Sequence, residues 1–160
     1  MNQLATISHD RNLVTTGGDS ETLVTLYIGD QIFGLPVLRV RDILNAEAIN
    51  QIPLAPKEVA GSINLRGRIV TVIDMRTRLG LPPRQRSDHN NDRLCVTVDH
   101  KNELYGMLID RIGDVLELDA GLREDTPSTL NPLWRGYSEG IYRLDKALLV
   151  ILDIESFLGF

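Results

Sequence analysis

The sequence predicts a mainly β protein in which two small barrels, with a few short helices, arise from an internal duplication. Two blocks of the first half reappear in the same order in the second half. Short apolar stretches rich in β-branched residues are separated by Gly, Pro and Asp turns, which favours small barrels over a parallel sheet. The 160 residues suffice for a substantial apolar core.

The duplication is visible when the two halves are aligned without gaps in two blocks. It predicts two similar subdomains related by a pseudo-twofold axis. Each half alone is small for an independent core, so we expect the halves to pack on each other, with strand exchange as one arrangement that achieves this. The aligned blocks are residues 24–44 on 96–116 and residues 61–81 on 140–160, at offsets of 72 and 79 positions.

Two polar stretches mark the expected boundaries. Residues 1–21 lack a sustained apolar period and are expected to form a mobile N-terminal tail. Residues 82–92 are rich in Pro, Arg, Asp and Asn, which indicates a linker. The expected domain is therefore 22–160, with half-repeats of about 22–81 and 93–160.

Each half begins with a hairpin. Residues 23–28 and 31–35 are predicted strands around a turn at Gly29 and Asp30. Pro36 can open a short helix because its missing N–H costs nothing there. Four apolar residues of this helix would share one face at helical spacing. They are Val37, Val40, Ile43 and Leu44.

Each half ends with a second hairpin and a capped helix. Residues 61–65 and 69–73 are predicted strands joined by a tight turn at Arg66 and Gly67. An aspartate then caps a short helix that runs through Arg78, and a glycine closes it in a left-handed conformation. The capping pairs are Asp74 with Gly80 and, in the second half, Asp153 with Gly159.

Composition and charge exclude several classes of protein. The net charge of −5 and the absence of a basic block disfavour a nucleic-acid binder, because phosphate contacts need clustered Lys and Arg. No apolar run approaches the length that spans a bilayer, and no secretory signal is visible at the N-terminus.

The metal-ligating and nucleophilic residues do not form a recognisable site. Cys95 is the only cysteine, which excludes an internal disulfide and a thiolate zinc cluster and fits a reducing cytosol. Its apolar neighbours favour a buried thiol over a nucleophile. His9, His89 and His100 fall in the tail, the linker and a hairpin turn without ligand spacing, so we expect solvated surface histidines and neither a metal nor a cofactor.

Asp74 and Asp153 raise the possibility of an enzyme, since the duplication pairs them as in two-lobed aspartic proteases. Such a dyad needs two carboxylates that meet across an interface. Both residues stand at a strand-to-helix junction, where an N-cap explains them without catalysis. No Gly-rich phosphate loop is present either. A duplicated-barrel enzyme is therefore the outsider interpretation.

Two predicted surface features could serve a partner. Arg66 at a hairpin tip is either a solvated turn charge or a planar multi-donor group for a carboxylate or backbone carbonyls. Residues 40–42, on the short helix predicted just after an edge hairpin, are either a solvated face or part of an interface.

Several segments together resemble the CheW family of chemotaxis coupling proteins. Residues 61–76 carry the family's Gly-x-x-Asn-Leu-Arg-Gly motif and its strand context. Residues 33–43 resemble its "Y-G-x-x-x-x-x-V-x-E-I" segment, with Asp42 in place of a frequent Glu. Residues 105–116 and 148–155 match two further segments, so the resemblance covers about 22–158.

The resemblance implies a pair of SH3-like, five-stranded barrels with a shared core, and a non-enzymatic adaptor. Members link methyl-accepting chemoreceptors to the regulatory domain of the histidine kinase CheA in cytoplasmic arrays beneath the inner membrane. One barrel docks on a homologous barrel of the kinase, and a groove near the two barrels receives the hairpin tip of the receptor. Neither nucleic acid nor direct membrane insertion is expected.

The family motifs also indicate which residues would face each partner. For the receptor or for assembly these are Val40, Asp42, Gly61, Arg66 and Val115. Ile32 and Val37, on the first hairpin and first helix, are the kinase-facing hypothesis. The main alternative is a CheW-like adaptor of another chemosensory pathway, such as surface motility.

Overall fold

The computed structural model describes residues 19–83 and 93–159, and these ranges contain ten strands and three short α-helices. Two 3₁₀ turns, Val37–Arg39 and Ala120–Leu122, complete the secondary structure of this part of the chain. The strands are β1 Ser20–Ile28, β2 Gln31–Pro36, β3 Val40–Asn45, β4 Val59–Leu65, β5 Arg68–Asp74, β6 Leu94–His100, β7 Glu103–Leu108, β8 Arg111–Asp119, β9 Ser138–Arg143 and β10 Leu148–Leu152; the helices are α1 Met75–Arg78, α2 Pro132–Arg135 and α3 Ile154–Phe157.

The strands form two five-stranded sheets, and each sheet takes strands from both halves of the chain. The sheet of barrel 1 has the order β8-β1-β2-β10-β9, and that of barrel 2 has the order β3-β6-β7-β5-β4. Each barrel therefore combines the first hairpin of one half with three strands of the other. The mainly β fold, the duplication and the exchange of strands are confirmed.

The apolar residues form one cluster inside each barrel and a third cluster that both barrels share. Leu149 and Ile151 of β10 pack inside barrel 1, whereas Val150 and Leu152 of the same strand join the shared core. Successive side chains of a strand point to opposite faces. A strand buried on both faces reads as a continuous apolar run, which explains the sequence of β10. The shared core makes the two barrels one packed body.

A short helical turn does follow Pro36, but the prediction that the helix extends to Leu44 is wrong. The chain makes only the 3₁₀ turn Val37–Arg39 and then continues as β3. In β3, Ile43 lies opposite Val96 and Leu44 opposite Cys95 of β6. The spacing of these apolar residues is compatible with a helix and also with a strand of partly alternating burial. Pairing with the distant strand β6 selects the strand.

The capping aspartates are where the sequence places them. The Asp74 carboxylate accepts the backbone N–H of Arg76 at 3.0 Å, and that of Asp153 accepts Ser156 N–H at 3.2 Å. Gly80 has the expected left-handed φ of 74°. Gly159 does not adopt a positive φ, so that part of the prediction is wrong. Its N–H donates to the Ser156 carbonyl in the last turn of α3.

The first strand begins earlier than the tail prediction allows. Ser20 and Glu21 belong to β1 and pair with β8, because Ser20 lies opposite Asp119. The remainder of the predicted tail, residues 1–18, and most of the linker, residues 84–92, lie outside the described residues, as do His9 and His89. No helix within the described ranges has the length and apolar character needed to cross a bilayer.

Candidate protein-interaction site

The hairpin between β4 and β5 presents Arg66 at its tip, as predicted. Leu65 and Arg68 pair across a two-residue loop in which Arg66 and Gly67 have φ values of 51° and 84°. Two positive φ values define a type I′ turn, which matches the twist of the flanking strands. The Asn64 side chain accepts the Gly67 N–H at 3.0 Å and stabilises the turn. The local sequence therefore fixes the direction in which the Arg66 side chain leaves the sheet.

Asp42 of β3 meets this arginine. Nη1 of Arg66 lies 3.0 Å from Oδ2 of Asp42, and the side chains are 75% and 32% exposed. A shift in register between Val40 and Asp42 places one extra residue in β3 opposite β6. Such a bulge re-aims the following side chain. The structure thus brings together two of the residues that the family motifs single out.

This charge pair breaks the pseudo-symmetry of the duplication. At the offset of 72 positions, the repeat equivalent of Asp42 is Asp114. At the offset of 79 positions, the repeat equivalent of Arg66 is Asp145. Two carboxylates cannot form the pair in barrel 1. Comparison of the repeats is therefore a sequence signal that distinguishes the two related surfaces, and it assigns the candidate site to barrel 2.

Gly61 supports this site from inside the fold. It is buried with a φ of 147°, and a Cβ built there would lie 2.2 Å from the carbonyl oxygen of Asn50. The close approach lets Asn50 pair with Ser62 beside β4. Gly140 repeats the arrangement in the second half, with a φ of 150° and the Glu124 carbonyl close by. Gly61 therefore acts on the backbone rather than through a surface contact.

The two valines of the receptor-facing set lie in different barrels. Val40 is partly buried and packs against the shared core. Val115 of β8 is 60% exposed, on an edge strand of barrel 1. Its repeat equivalent Ile43, on the edge strand of barrel 2, is also exposed. Ile69 in β5, just after the Arg66 turn, is also an exposed apolar residue. The family motifs did not single it out, although the alternation of side chains along β5 points it outward.

The kinase-facing hypothesis needs one correction. Ile32 is 3% exposed and belongs to the cluster inside barrel 1, because β2 is flanked by β1 and β10. Its side chain is not at the surface. Val37 is exposed on the 3₁₀ turn that connects the two barrels.

The expectation of a solvated His100 is wrong. The histidine ends β6 and is buried, and the turn that follows is made by Lys101 and Asn102. Its Nδ1 lies 3.0 Å from the Glu155 carboxylate, whose other oxygen accepts the Arg39 guanidinium at 2.8 Å. These residues come from β6, α3 and the inter-barrel turn, so the cluster links the two barrels. The Arg39 hydrogen bond, with a smaller contribution from His100, lowers the pKa of Glu155.

The three side chains that the sequence analysis weighed for catalysis have structural surroundings: Asp74 and Asp153 are N-caps, and Cys95 lies in the core. Cys95 is buried, and desolvation raises the pKa of its thiol to about 12. Asp74 lines a cleft of about 470 Å³ together with Arg76 and Asp110. Arg76 binds Asp110 at 2.6 Å, and Asp110 also accepts the Gly29 N–H at 2.5 Å. Among the described residues, no group of three or more His, Cys, Asp and Glu side chains could hold a metal ion.

Comparisons with known proteins agree with this architecture. The family model of the CheW-like domain matches residues 22–159. The probable chemotaxis protein CheW of Rhizobium etli is 30% identical over 139 residues, 87% of each chain. The chemotaxis protein CheW of Treponema pallidum is 26% identical, covering 93% of this chain and 88% of its own. The scaffolding protein TtCheW of Thermoanaerobacter tengcongensis superposes with a TM-score of 0.74 at 25% identity, covering 84% of this chain and 89% of its own.

Proposed function

The chain belongs to the family of CheW-like domains, and from this premise we propose that it is a non-enzymatic adaptor that couples methyl-accepting chemoreceptors to a CheA-type histidine kinase. The proposal places it in the cytoplasm, recruited to membrane-associated receptor arrays. Its receptor-facing surface includes the Asp42–Arg66 pair of barrel 2.

The observation that carries this proposal is the exposed and oriented guanidinium of Arg66. The Asp42 carboxylate accepts a hydrogen bond from Nη1 of Arg66, and among the described residues it is the partner of this guanidinium. The remaining N–H donors face solvent in a planar fork, which suits a carboxylate or a row of backbone carbonyls. Because Asp42 already restrains the side chain, binding costs less conformational entropy than with a free arginine.

The fold supports an adaptor in a second way. The shared core fixes the two barrels relative to each other, so surfaces on both are held at constant geometry. A rigid body with two binding surfaces raises the local concentration of one partner at the other. Electrostatic contacts at the rim would set the register of docking, while apolar residues would supply most of the affinity.

Calorimetric titration tests the proposal. The folded protein is titrated with the purified regulatory domain of the cognate kinase, and the complex is then titrated with a receptor cytoplasmic hairpin. We expect one-to-one kinase binding and receptor binding to the complex. Failure of the folded protein to bind either partner would overturn the proposal.

Arg66→Ala is the informative variant, and Arg68→Ala is its matched control. Arg68 is exposed and begins β5 in the same hairpin, so its replacement by Ala removes the same charge. We expect Arg66→Ala to weaken receptor binding about tenfold, as for loss of a charge-assisted hydrogen bond, and Arg68→Ala to change it less than about twofold. Equal weakening by both variants would indicate only the general charge of the surface and contradict a role for the Arg66 fork.

A further inference from the structure

The loop between β3 and β4 holds a leucine in a backbone conformation that leucine disfavours. The Ala55 N–H donates to the Ile52 carbonyl at 3.3 Å, which closes a four-residue turn. Pro53 occupies the second position, and Leu54 the third with a φ of 63°. A type II turn requires a positive φ at its third position and therefore favours Gly or Asn there. A bulky side chain at positive φ is a genuine outlier.

The same leucine is fully exposed, at 104% of its reference surface. A single exposed apolar residue needs no explanation. Leu54 is exposed and strained at the same time, so it neither stabilises its own turn nor contributes to the core. Backbone strain of this kind is a reason to look for function.

The loop around Leu54 is held in place. Val59 N–H donates to the Pro56 carbonyl at 2.9 Å, closing a second turn directly after the first. Asn50 and Ser62 exchange backbone hydrogen bonds of 2.8 Å at the base of the loop. The two prolines, Pro53 and Pro56, restrict the backbone further. A restrained leucine loses little entropy when a partner encloses it.

The Leu54 loop and the Arg66 turn lie at opposite ends of β4. Leu54 precedes β4, whereas Arg66 follows it. The seven residues of β4 separate the two ends of the strand by roughly 20 Å at about 3.3 Å per residue. A partner bound at the Arg66 end therefore leaves the Leu54 end accessible.

We propose that Leu54 is a pre-formed anchor that inserts into an apolar pocket of the kinase's folded regulatory domain. This inference rests on the proposed function, which assigns the Arg66 end to the receptor and requires both partners to bind at once. A protein pocket can enclose the whole side chain and gain its full burial. A lipid surface fits less well, because one leucine anchors weakly and the net charge of −5 opposes approach to anionic lipids.

The test compares Leu54→Asn with Leu54→Met and Leu122→Asn. Asparagine suits the third position of the turn, so the Tm should stay equal or rise by up to about 4 °C. Affinity for the purified kinase regulatory domain should fall about tenfold or more, while affinity for the receptor hairpin stays unchanged. Leu54→Met should bind like the wild type. Leu122→Asn alters an exposed leucine of the second 3₁₀ turn and should leave kinase binding unchanged.

The outcomes separate the anchor from the proposed function. If the wild type binds the kinase domain and Leu54→Asn binds it equally, the anchor is overturned while the adaptor role stands. If Leu54→Asn weakens binding of the receptor hairpin instead of the kinase domain, the assigned partner is wrong. The same holds if light scattering shows that the wild type self-associates and that Leu54→Asn does not. If the wild type binds neither partner, the proposed function itself fails.

Discussion

The guanidinium of Arg66 lies 3.0 Å from the carboxylate of Asp42, although β3, which carries Asp42, and β4, which leads into the Arg66 turn, occupy opposite edges of one sheet. β3 and β4 are the edge strands of barrel 2, so the pair connects the two edges on the outside of the barrel. Because both groups contact solvent, the pair serves to orient the arginine more than to stabilise the fold.

This relationship predicts little change in stability when the pair is broken. Arg66→Ala and Asp42→Asn should each lower the free energy of unfolding by less than about 1 kcal/mol, as for other exposed ion pairs. Urea unfolding at low and high salt measures this change in the free energy of unfolding. If the pair orients Arg66 for the receptor, Asp42→Asn should weaken receptor binding, but less than Arg66→Ala does. A large loss of stability in either variant would instead assign the pair a structural role.

Gly61→Ala should destabilise the protein severely, by about 3 kcal/mol or more, because the new Cβ would collide with the Asn50 carbonyl at a positive φ. Gly67→Ala is the matched control. Gly67 also has a positive φ, of 84°, but open space surrounds its missing Cβ. Gly67→Ala should lower the free energy of unfolding by about 1–2 kcal/mol, which is the conformational penalty alone. Thermal and urea unfolding compare them, and equal losses would contradict the close approach at Gly61.

The Arg39–Glu155–His100 cluster predicts a pH-dependent contribution to stability. The pKa of Glu155 is lowered in the folded protein, chiefly by the Arg39 hydrogen bond. The stabilisation is therefore present above the ordinary Glu pKa of 4.5 and is lost as the pH falls through the lowered value. Glu155→Gln should have a lower Tm than the wild type near neutral pH, and the difference should shrink in acid.

Glu47→Gln is the control for that measurement. Glu47 is exposed and forms no ion pair with the part of the chain that the structure describes. Its replacement should leave the Tm unchanged across the same pH range. A Glu155→Gln deficit that persists below the lowered pKa would show that the cluster stabilises by packing rather than by charge.

The Cys95 thiol should react slowly with a soluble disulfide reagent at pH 8. It is buried, and its pKa is raised to about 12, so little thiolate is present and the reagent cannot reach it. Absorbance of the released thiolate measures the rate. Reaction should become rapid in denaturant. Fast reaction of the native protein would contradict a structural role and revive the interpretation of Cys95 as a nucleophile.

Much of the architecture could be predicted because its signals are local or repeated. The alignment of the halves predicted the duplication. The turn at Arg66 and Gly67 and the cap by Asp74 depend on residues within a few positions of each other, where backbone preferences act directly. The family resemblance singled out Asp42 and Arg66 separately, but no local pattern indicates that they touch.

Local patterns and the internal repeat were therefore enough to predict the duplication, the hairpins and the N-caps of the short helices. Tertiary packing set three other features: the strand after Arg39, the burial of His100 against Glu155, and the core-facing side chain of Ile32. These outcomes depend on pairing and packing with segments remote in the chain. Val40 and Ile43 are compatible with a helix or a strand by spacing, and the hydrogen bonds and apolar contacts offered by β6 select the strand. Non-local contacts of this kind also brought Arg66 to Asp42.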